Sequence, residues 1–357
     1  MSASSRGRGD GEFELLARLR AVVNKGPGTM GVVVGIGDDC AVVRAPASGA
    51  RLLLTTDTMI EGVHFRRAWL TPRELGVRAF RAAVSDIAAT GGRPRYVLLS
   101  LEVPGSEHGF GSREALALSR AVAAAAHRSG AALVGGNVSG AATIGVTVTV
   151  VGEAARRPLL RSGARAGDLV FVTGALGGAA AGWRALVARD GGGRRTSVSA
   201  AQQRRSASAW RRPPLRLAFA AALADRALAH AMIDVSDGLL QDLGHIARES
   251  RLAIRVDPAA VPVHPAAAAT SGLAGAPAPL ELALGGGEDY ELAFTAARSR
   301  RAAIEALAAT QRTPLRVIGV VEKGRSAVTD PEGRAFALAT AGFDHLRPRR
   351  SAATRKR

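Results

Sequence analysis

Apolar positions recur along this chain with two periods, and the periods divide it into helices and strands. Phe13, Leu16, Leu19 and Val23 fall at helical spacing and predict a short amphipathic helix over 12–23. The continuous apolar runs at 30–39 and 50–57 predict strands, each ending in carboxylates. Thr71 as N-cap and Pro72 at the first helical position then open a helix. It shows Leu75, Ala79, Ala83 and Ile87 on one face and closes at Gly91 and Gly92. A strand over 95–104, a helix over 112–130 ended by Gly130, and strands over 131–136 and 143–154 complete a first half of order ββαβαββ.

A second unit starts with a strand at 168–173. It continues with helices near 215–230 and 238–249, strands near 252–256 and 291–295, a helix near 298–310 and a strand at 315–321. The fold class is therefore α+β, built from two α/β domains. We expect a flexible basic tail at 1–10, an N-terminal domain at 11–155, a C-terminal domain at 156–346 and a second basic tail at 347–357. At 357 residues the chain exceeds what one core usually serves, and a hydrophobic fraction of 47% supplies two.

The net charge of +18 raises a nucleic-acid reading, because a basic surface is the footprint of phosphate binding. Its distribution argues against one. Much of the charge lies in the two tails and in residues 189–214, all poor in core-forming side chains, so these segments are expected to be solvated and the third to be an inserted loop. Lysine stands only at 25, 323 and 356 while arginine fills the other basic positions, a compositional bias more than a binding face. Cys40 is the only cysteine, which excludes an internal disulfide and a thiolate metal cluster and fits a reducing compartment; we read it as a small packed residue. No run of about 18 apolar residues is present, so the expected location is the cytoplasm, with no membrane partner.

The carboxylates carry the chemistry. Asp38 and Asp39 leave the first strand and Thr55, Thr56 and Asp57 end the next, while Asp86 lies in the last turns of the following helix. Asp234, Ser236 and Asp237 form a further group, and Glu288 and Asp289 follow a run of glycines. Any metal here must sit on oxygen or imidazole, and oxygen ligands at element ends suit Mg²⁺, which keeps waters and bridges to phosphates. Each group alone has an ordinary explanation. Adjacent aspartates can close a turn, Ser236 and Asp237 can cap the helix from Gly238, Thr55 to Asp57 can be a strand exit, and His64 can be a satisfied edge residue. Their joint occurrence outweighs those separate accounts.

The stretches 35–43, 55–65, 84–94, 161–168, 234–247, 285–294 and 341–346, in that order, closely resemble the thiamine-monophosphate kinase family, over roughly residues 11–346. That family belongs to a superfamily of ATP-dependent enzymes that includes aminoimidazole ribonucleotide synthetase. The resemblance implies a homodimer joined through the N-terminal domains and transfer of the ATP γ-phosphoryl group to thiamine monophosphate, giving thiamine diphosphate. Matched position by position, it implies Asp39, Thr55, Thr56, Asp57, Asp86, Asn137, Asp234 and Asp237 as magnesium ligands, with Asp57, Asp86 and Asp237 central to catalysis. It implies Gly136, Asn137, Arg161 and Ser236 near ATP, and His64, Glu288 and Phe343 as contacts to thiamine monophosphate.

Elementary chemistry agrees. An acceptor phosphate is already a nucleophile at neutral pH, so the difficulty is bringing two polyanions together, which bound cations and an arginine fork relieve. No P-loop and no protein-kinase motif set occurs in the chain. The cysteines that a selenophosphate synthetase or the hydrogenase maturation dehydratase would need are absent as well. The chain departs from the family at Asn137, an amide where an aspartate is usual, followed by a segment without the usual arginine. The reading of another class is a basic nucleic-acid-associated protein on this fold; carboxylates gathered around one groove oppose it, because they repel a phosphate backbone unless metal is present.

Overall fold

The computed structural model describes residues 50–338 apart from 155–157, 191–198, 271–272 and 274–276, together with Arg18, Ala21, Val32–Val34 and Val42–Val43. Arg18 and Ala21 are helical; the rest of the predicted helix over 12–23, and Asp38, Asp39, Cys40 and Phe343, lie outside the described residues.

In the N-terminal half, β1 (Val32–Val34) pairs antiparallel with β2 (Val42–Val43). Then come β3 (Arg51–Ile60), α1 (Pro72–Ala89), β4 (Arg93–Val103), α2 (Ser112–Arg128), β5 (Ala132–Gly140) and β6 (Gly145–Ala154). The order ββαβαββ is present, with β2 added. A four-stranded sheet runs β3-β6-β4-β5. It is antiparallel except for the β4–β5 pair, which the intervening helix α2 allows to be parallel.

Helix α1 forms as its sequence dictates. Thr71 Oγ1 accepts from the Glu74 backbone N–H at 3.2 Å, Glu74 Oε2 accepts from the Thr71 N–H at 2.9 Å, and Pro72 occupies the first turn. Its Leu75, Ala79, Ala83 and Ile87 pack with Val97, Leu99, Val148 and Val150 of the sheet. The opposite sheet face, the open face, bears Leu52, Leu54, Ile60 and Leu98, all exposed, and no helix among the described residues covers it.

The C-terminal half comprises β7 (Leu169–Thr173), α3 (Gly178–Asp190), α4 (Ala200–Arg211), α5 (Leu217–Asp225), β8 (Ala231–Asp234), α6 (Leu239–Ser250) and β9 (Ala253–Val256). It ends with α7 (Pro265–Ala269), α8 (Pro279–Gly285), β10 (Leu292–Ala296), α9 (Arg301–Thr310), β11 (Leu315–Glu322) and β12 (Val328–Thr329). The six-stranded sheet runs β12-β9-β11-β7-β10-β8. Every residue of β7 and β10 is buried, because a hydrophobic cluster covers each face of this sheet. That is why both strands read as continuous apolar runs. Among the described residues no helix is long and apolar enough to cross a membrane.

One sequence-based expectation fails here. Residues 189–214 do not form a solvated insertion throughout: 200–211 are helix α4, with Ser206, Ala207 and Trp210 buried and Arg204 and Arg205 on its outer face. Gly182 of α3 permits the contact, since a Cβ there would lie 2.4 Å from Ser206 O and 2.8 Å from Trp210 Cβ. All three tryptophans of the chain meet at this point, with Trp69 4.7 Å from Trp183 and 5.8 Å from Trp210 between ring centroids, tying the N-terminal half to α3 and α4.

Candidate active site

Strand β3 alternates its side chains, so Thr55 and Asp57 point to the face that α1 covers while Thr56 and Thr58 point to the open face. Thr55 Oγ1 donates to Asp86 Oδ2 at 2.6 Å, joining β3 to the last turns of α1. One residue earlier, Ser85 Oγ donates to Asp234 Oδ2 at 2.8 Å, joining the same helix to the end of β8. Asp57 Oδ1 accepts from the Thr58 N–H at 2.8 Å. Three carboxylates from three elements thus converge across the junction of the two halves.

The electrostatics register that crowding. Burial, foremost, and the charges of Asp86 and Glu288 lift the Asp57 carboxyl to about 6, against the pull of the Thr58 N–H and Arg78. Asp234, wholly buried, is raised well above the ordinary carboxylate range by burial and then by Asp86, with the Ser85 hydroxyl and Arg161 opposing. Ionised carboxylates this close are stable together only with positive charge between them. The strand expected to end at Asp57 runs on to Ile60, because its alternation continues through Met59, so Thr55 and Asp57 lie within β3. Their oxygens, with those of Asp86 near the end of α1 and Asp234 at the end of β8, form a donor set that fits a hard divalent cation.

After β8 the chain turns into α6 through Ser236, Asp237 and Gly238. Capping of this helix by Ser236 or Asp237, one of the alternatives left open by the sequence, does not occur. Asp242, from inside the helix, accepts the N–H groups of Ser236, Asp237 and Gly238 on one oxygen at 3.1, 3.2 and 3.1 Å. The Asp237 carboxylate is left to accept from Gln241 Nε2 at 3.1 Å. Ligand atoms of Asp237, Asp242 and His245 lie within 4.8 Å of one another, although Asp242 is committed to its backbone partners. Arg161 is exposed, and its charge acts on Asp234 and His245.

Glu288 and Asp289 part company. Asp289 turns inward and accepts from the Gly177 and Ala179 N–H groups at 2.6 and 3.0 Å, holding the start of α3. Glu288 turns toward the carboxylates and accepts from Arg78 Nη2 at 2.6 Å and Trp210 Nε1 at 2.9 Å. Gly287, Glu288 and Tyr290 all have positive φ (69°, 59° and 51°), and Glu288 N–H and Tyr290 N–H donate to Ser236 O and Val235 O at 2.7 and 2.8 Å. The strained loop is thereby laid against the β8–α6 turn.

The structure therefore brings together Thr55, Asp57, Asp86, Asp234 and Glu288, with Ser236, Asp237 and Arg161 alongside. It does not bring Thr56, Gly136 or Asn137 to them. Thr56 Oγ1 lies 3.0 Å from Thr149 Oγ1 on the open face. Asn137, exposed in β5, stands opposite Ser100 in a row with Thr147 and Thr58 on that same face, inside a strand and not at a turn. At Gly136 a Cβ would fall 1.8 Å from Leu99 O, so only glycine permits this approach of β5 to β4. His64 Nδ1 accepts from the Ile60 N–H at 3.0 Å beyond the end of β3. Sequence reasoning missed Arg78, Ser85, Trp210 and Asp242. An arginine beside the apolar stripe of α1 and a tryptophan inside a basic run were the available signals.

The chain matches the family described as AIR synthase related protein, N-terminal domain, over residues 37–154, and the corresponding C-terminal domain over residues 165–330. It is 34% identical to the thiamine-monophosphate kinase of Salmonella typhimurium over 342 residues, 94% of this chain and 98% of that protein. The crystal structure of thiamine-monophosphate kinase from Stenotrophomonas maltophilia superposes with a TM-score of 0.77 at 34% identity, covering 91% of this chain and 98% of that one. The structure of AaThiL complexed with AMPPCP and TMP superposes with a TM-score of 0.72 at 29% identity, covering 96% of this chain and 100% of that one.

Proposed function

Because this chain belongs to the AIR synthase related proteins, and within them to the thiamine-monophosphate kinases, we propose that it phosphorylates thiamine monophosphate with ATP to give thiamine diphosphate and ADP. The observation that carries this reading is the convergence of Asp57, Asp86 and Asp234 at the junction of the two halves. A phosphate oxygen of thiamine monophosphate forms the new bond to the γ-phosphorus, and the bond to the β,γ-bridging oxygen breaks, leaving its electron pair on ADP. No strong base is needed.

Asp57, Asp86, Asp234 and Asp237, with Thr55, fit Mg²⁺, and Asp39, Thr56 and Asn137 join them by family likeness. Bound there, Mg²⁺ would neutralise phosphate charge and orient the transferring group. The remaining work falls to the protein. The Arg161 guanidinium suits phosphate oxygens, and with Ser236, Gly136 and Asn137 it makes up the ATP side. Glu288, His64 and Phe343 make up the thiamine monophosphate side.

A second copy of the chain completes the reading. Leu54 is 72% and Leu52 55% exposed on a sheet face over which no helix lies among the described residues, and pairing of two N-terminal halves through that face would cover them. It would also bring the open-face residues Thr56 and Asn137 to a subunit interface. A cytoplasmic enzyme fits the single cysteine. Incubating the purified protein with ATP, Mg²⁺ and thiamine monophosphate and following thiamine diphosphate by chromatography tests the activity. ATP turnover without thiamine diphosphate would send the assignment elsewhere in the superfamily.

A further inference from the structure

Glu288 is held by two residues to which the family likeness gives no role. Arg78 of α1 is fully buried, and its guanidinium carbon lies 4.1 Å from the centroid of the Trp210 ring. Its Nη1 donates to Trp210 O, and its Nη2 to Glu288 Oε1 at 2.6 Å. Trp210 Nε1 donates to the other oxygen, Glu288 Oε2, at 2.9 Å. Each carboxylate oxygen is thus fixed by its own donor, one from the N-terminal half and one from α4. Trp69 and Trp183 pack edge-on against Trp210 at 5.8 and 5.7 Å.

A purely structural contact between α1 and α4 does not require an arginine. Burying a guanidinium costs several kcal/mol, roughly, which an apolar side chain of similar volume would avoid, and Arg78 Nε is left without a partner. What the arrangement does achieve is orientation. The Glu288 side chain remains 32% exposed, so it faces an opening with two of its roughly four acceptor directions unused by Arg78 and Trp210. A carboxylate repels a phosphate, so Glu288 suits the end of the substrate away from the phosphate, where the pyrimidine ring of thiamine carries an amino group.

We propose that Arg78 and Trp210 are positioning residues that lock Glu288 as an acceptor of fixed direction for the amino-bearing pyrimidine end of thiamine monophosphate, which makes α4 a wall of the substrate site. The inference rests on the proposed function. Positioning of this kind acts on binding of one substrate and leaves the phosphoryl-transfer step alone.

The test compares wild type, Trp210→Phe, Glu288→Gln and the double variant, with thermal melts to establish that each is folded. Trp210→Phe keeps an aromatic ring beneath Arg78 and removes the N–H, with a smaller ring whose packing cost the melts report. It should raise KM for thiamine monophosphate about tenfold, the effect of losing one good hydrogen bond, with KM for ATP and kcat within about twofold. In the Glu288→Gln background the same change should add less than about twofold, because the group it positions is gone. Arg78→Lys, which keeps the charge and loses the fork, should show the same split and serves if Trp210→Phe folds poorly. An unchanged KM for thiamine monophosphate, equal rises in both KM values, or effects that multiply independently in the double variant would overturn the positioning role alone. Absence of thiamine diphosphate formation by the wild type would overturn both the proposed function and this inference.

Discussion

Asp57 sits where two demands oppose each other. Its burial and its carboxylate neighbours disfavour the ionised form that metal binding needs, so removing the charge relieves repulsion while removing a ligand. Asp57→Asn is expected to leave stability unchanged or higher in metal-free buffer while turnover falls roughly 100-fold or more. Thermal melts and steady-state rates measure the two effects; ordinary activity in a folded variant would remove Asp57 from the metal set. Asp289, one of several buried carboxyls with raised pKa, gives a testable pH dependence. Burial lifts its carboxyl from 3.8 to about 7, against the Gly177 and Ala179 N–H groups. The folded state therefore holds this proton more tightly than the unfolded chain. Its contribution is fully present below about 3.8 and is lost as pH rises through about 7, so between those values it lowers stability by about 1 kcal/mol per pH unit. Urea denaturation at a series of pH values should show a shallower fall in Asp289→Asn than in wild type, and parallel curves would assign the dependence to other groups.

Among the elements, α1 and α4 stand at opposite ends of legibility. The signals of α1 are local: Thr71, Pro72 and Glu74 cap it and an apolar stripe runs its length, so its start at Pro72 can be read from the chain and is observed there. Helix α4 carries Arg204, Arg205 and Arg211 among few apolar residues, and the burial of Trp210 depends on Gly182 of α3 and Trp69 of the other half. No window of sequence around 200–211 contains those partners. Trp210→Ala should accordingly cost about 3–5 kcal/mol in a guanidinium titration, as large buried aromatics do. A change below about 1 kcal/mol would restore the solvated reading of this segment. The acidic groups divide in the same way. Strand alternation places Thr55 and Asp57 on the face that α1 covers, whereas the commitment of Asp242 to the turn before α6 becomes visible only when that turn is folded.

For the whole molecule, the open face of the N-terminal sheet bears directly on assembly. Leu54→Glu places a charge at its most exposed leucine, where a monomer would accept it at little cost and a paired sheet would bury it. Sedimentation at micromolar concentration should show the wild type as a dimer and Leu54→Glu as a monomer; a monomeric wild type would remove the pairing. The sequence by itself determined the two α/β halves, the order of the N-terminal elements and the positions of Asp86 and Asp234 at element ends, because periodicity and caps are properties of neighbouring residues, whereas the strand bearing Thr55 and Asp57 continues to Ile60. Which carboxylates meet was decided by tertiary structure. Thr55 reaches Asp86 across 31 residues, Ser85 reaches Asp234 across 149, and Arg78 reaches Glu288 across 210. The same packing turned Asp289 into a structural cap, set Thr56 and Asn137 on the opposite face from Asp57, and drew Trp210 out of a basic run into the core. Burial and charge proximity are set by residues far apart in the chain, so only the folded arrangement carries them.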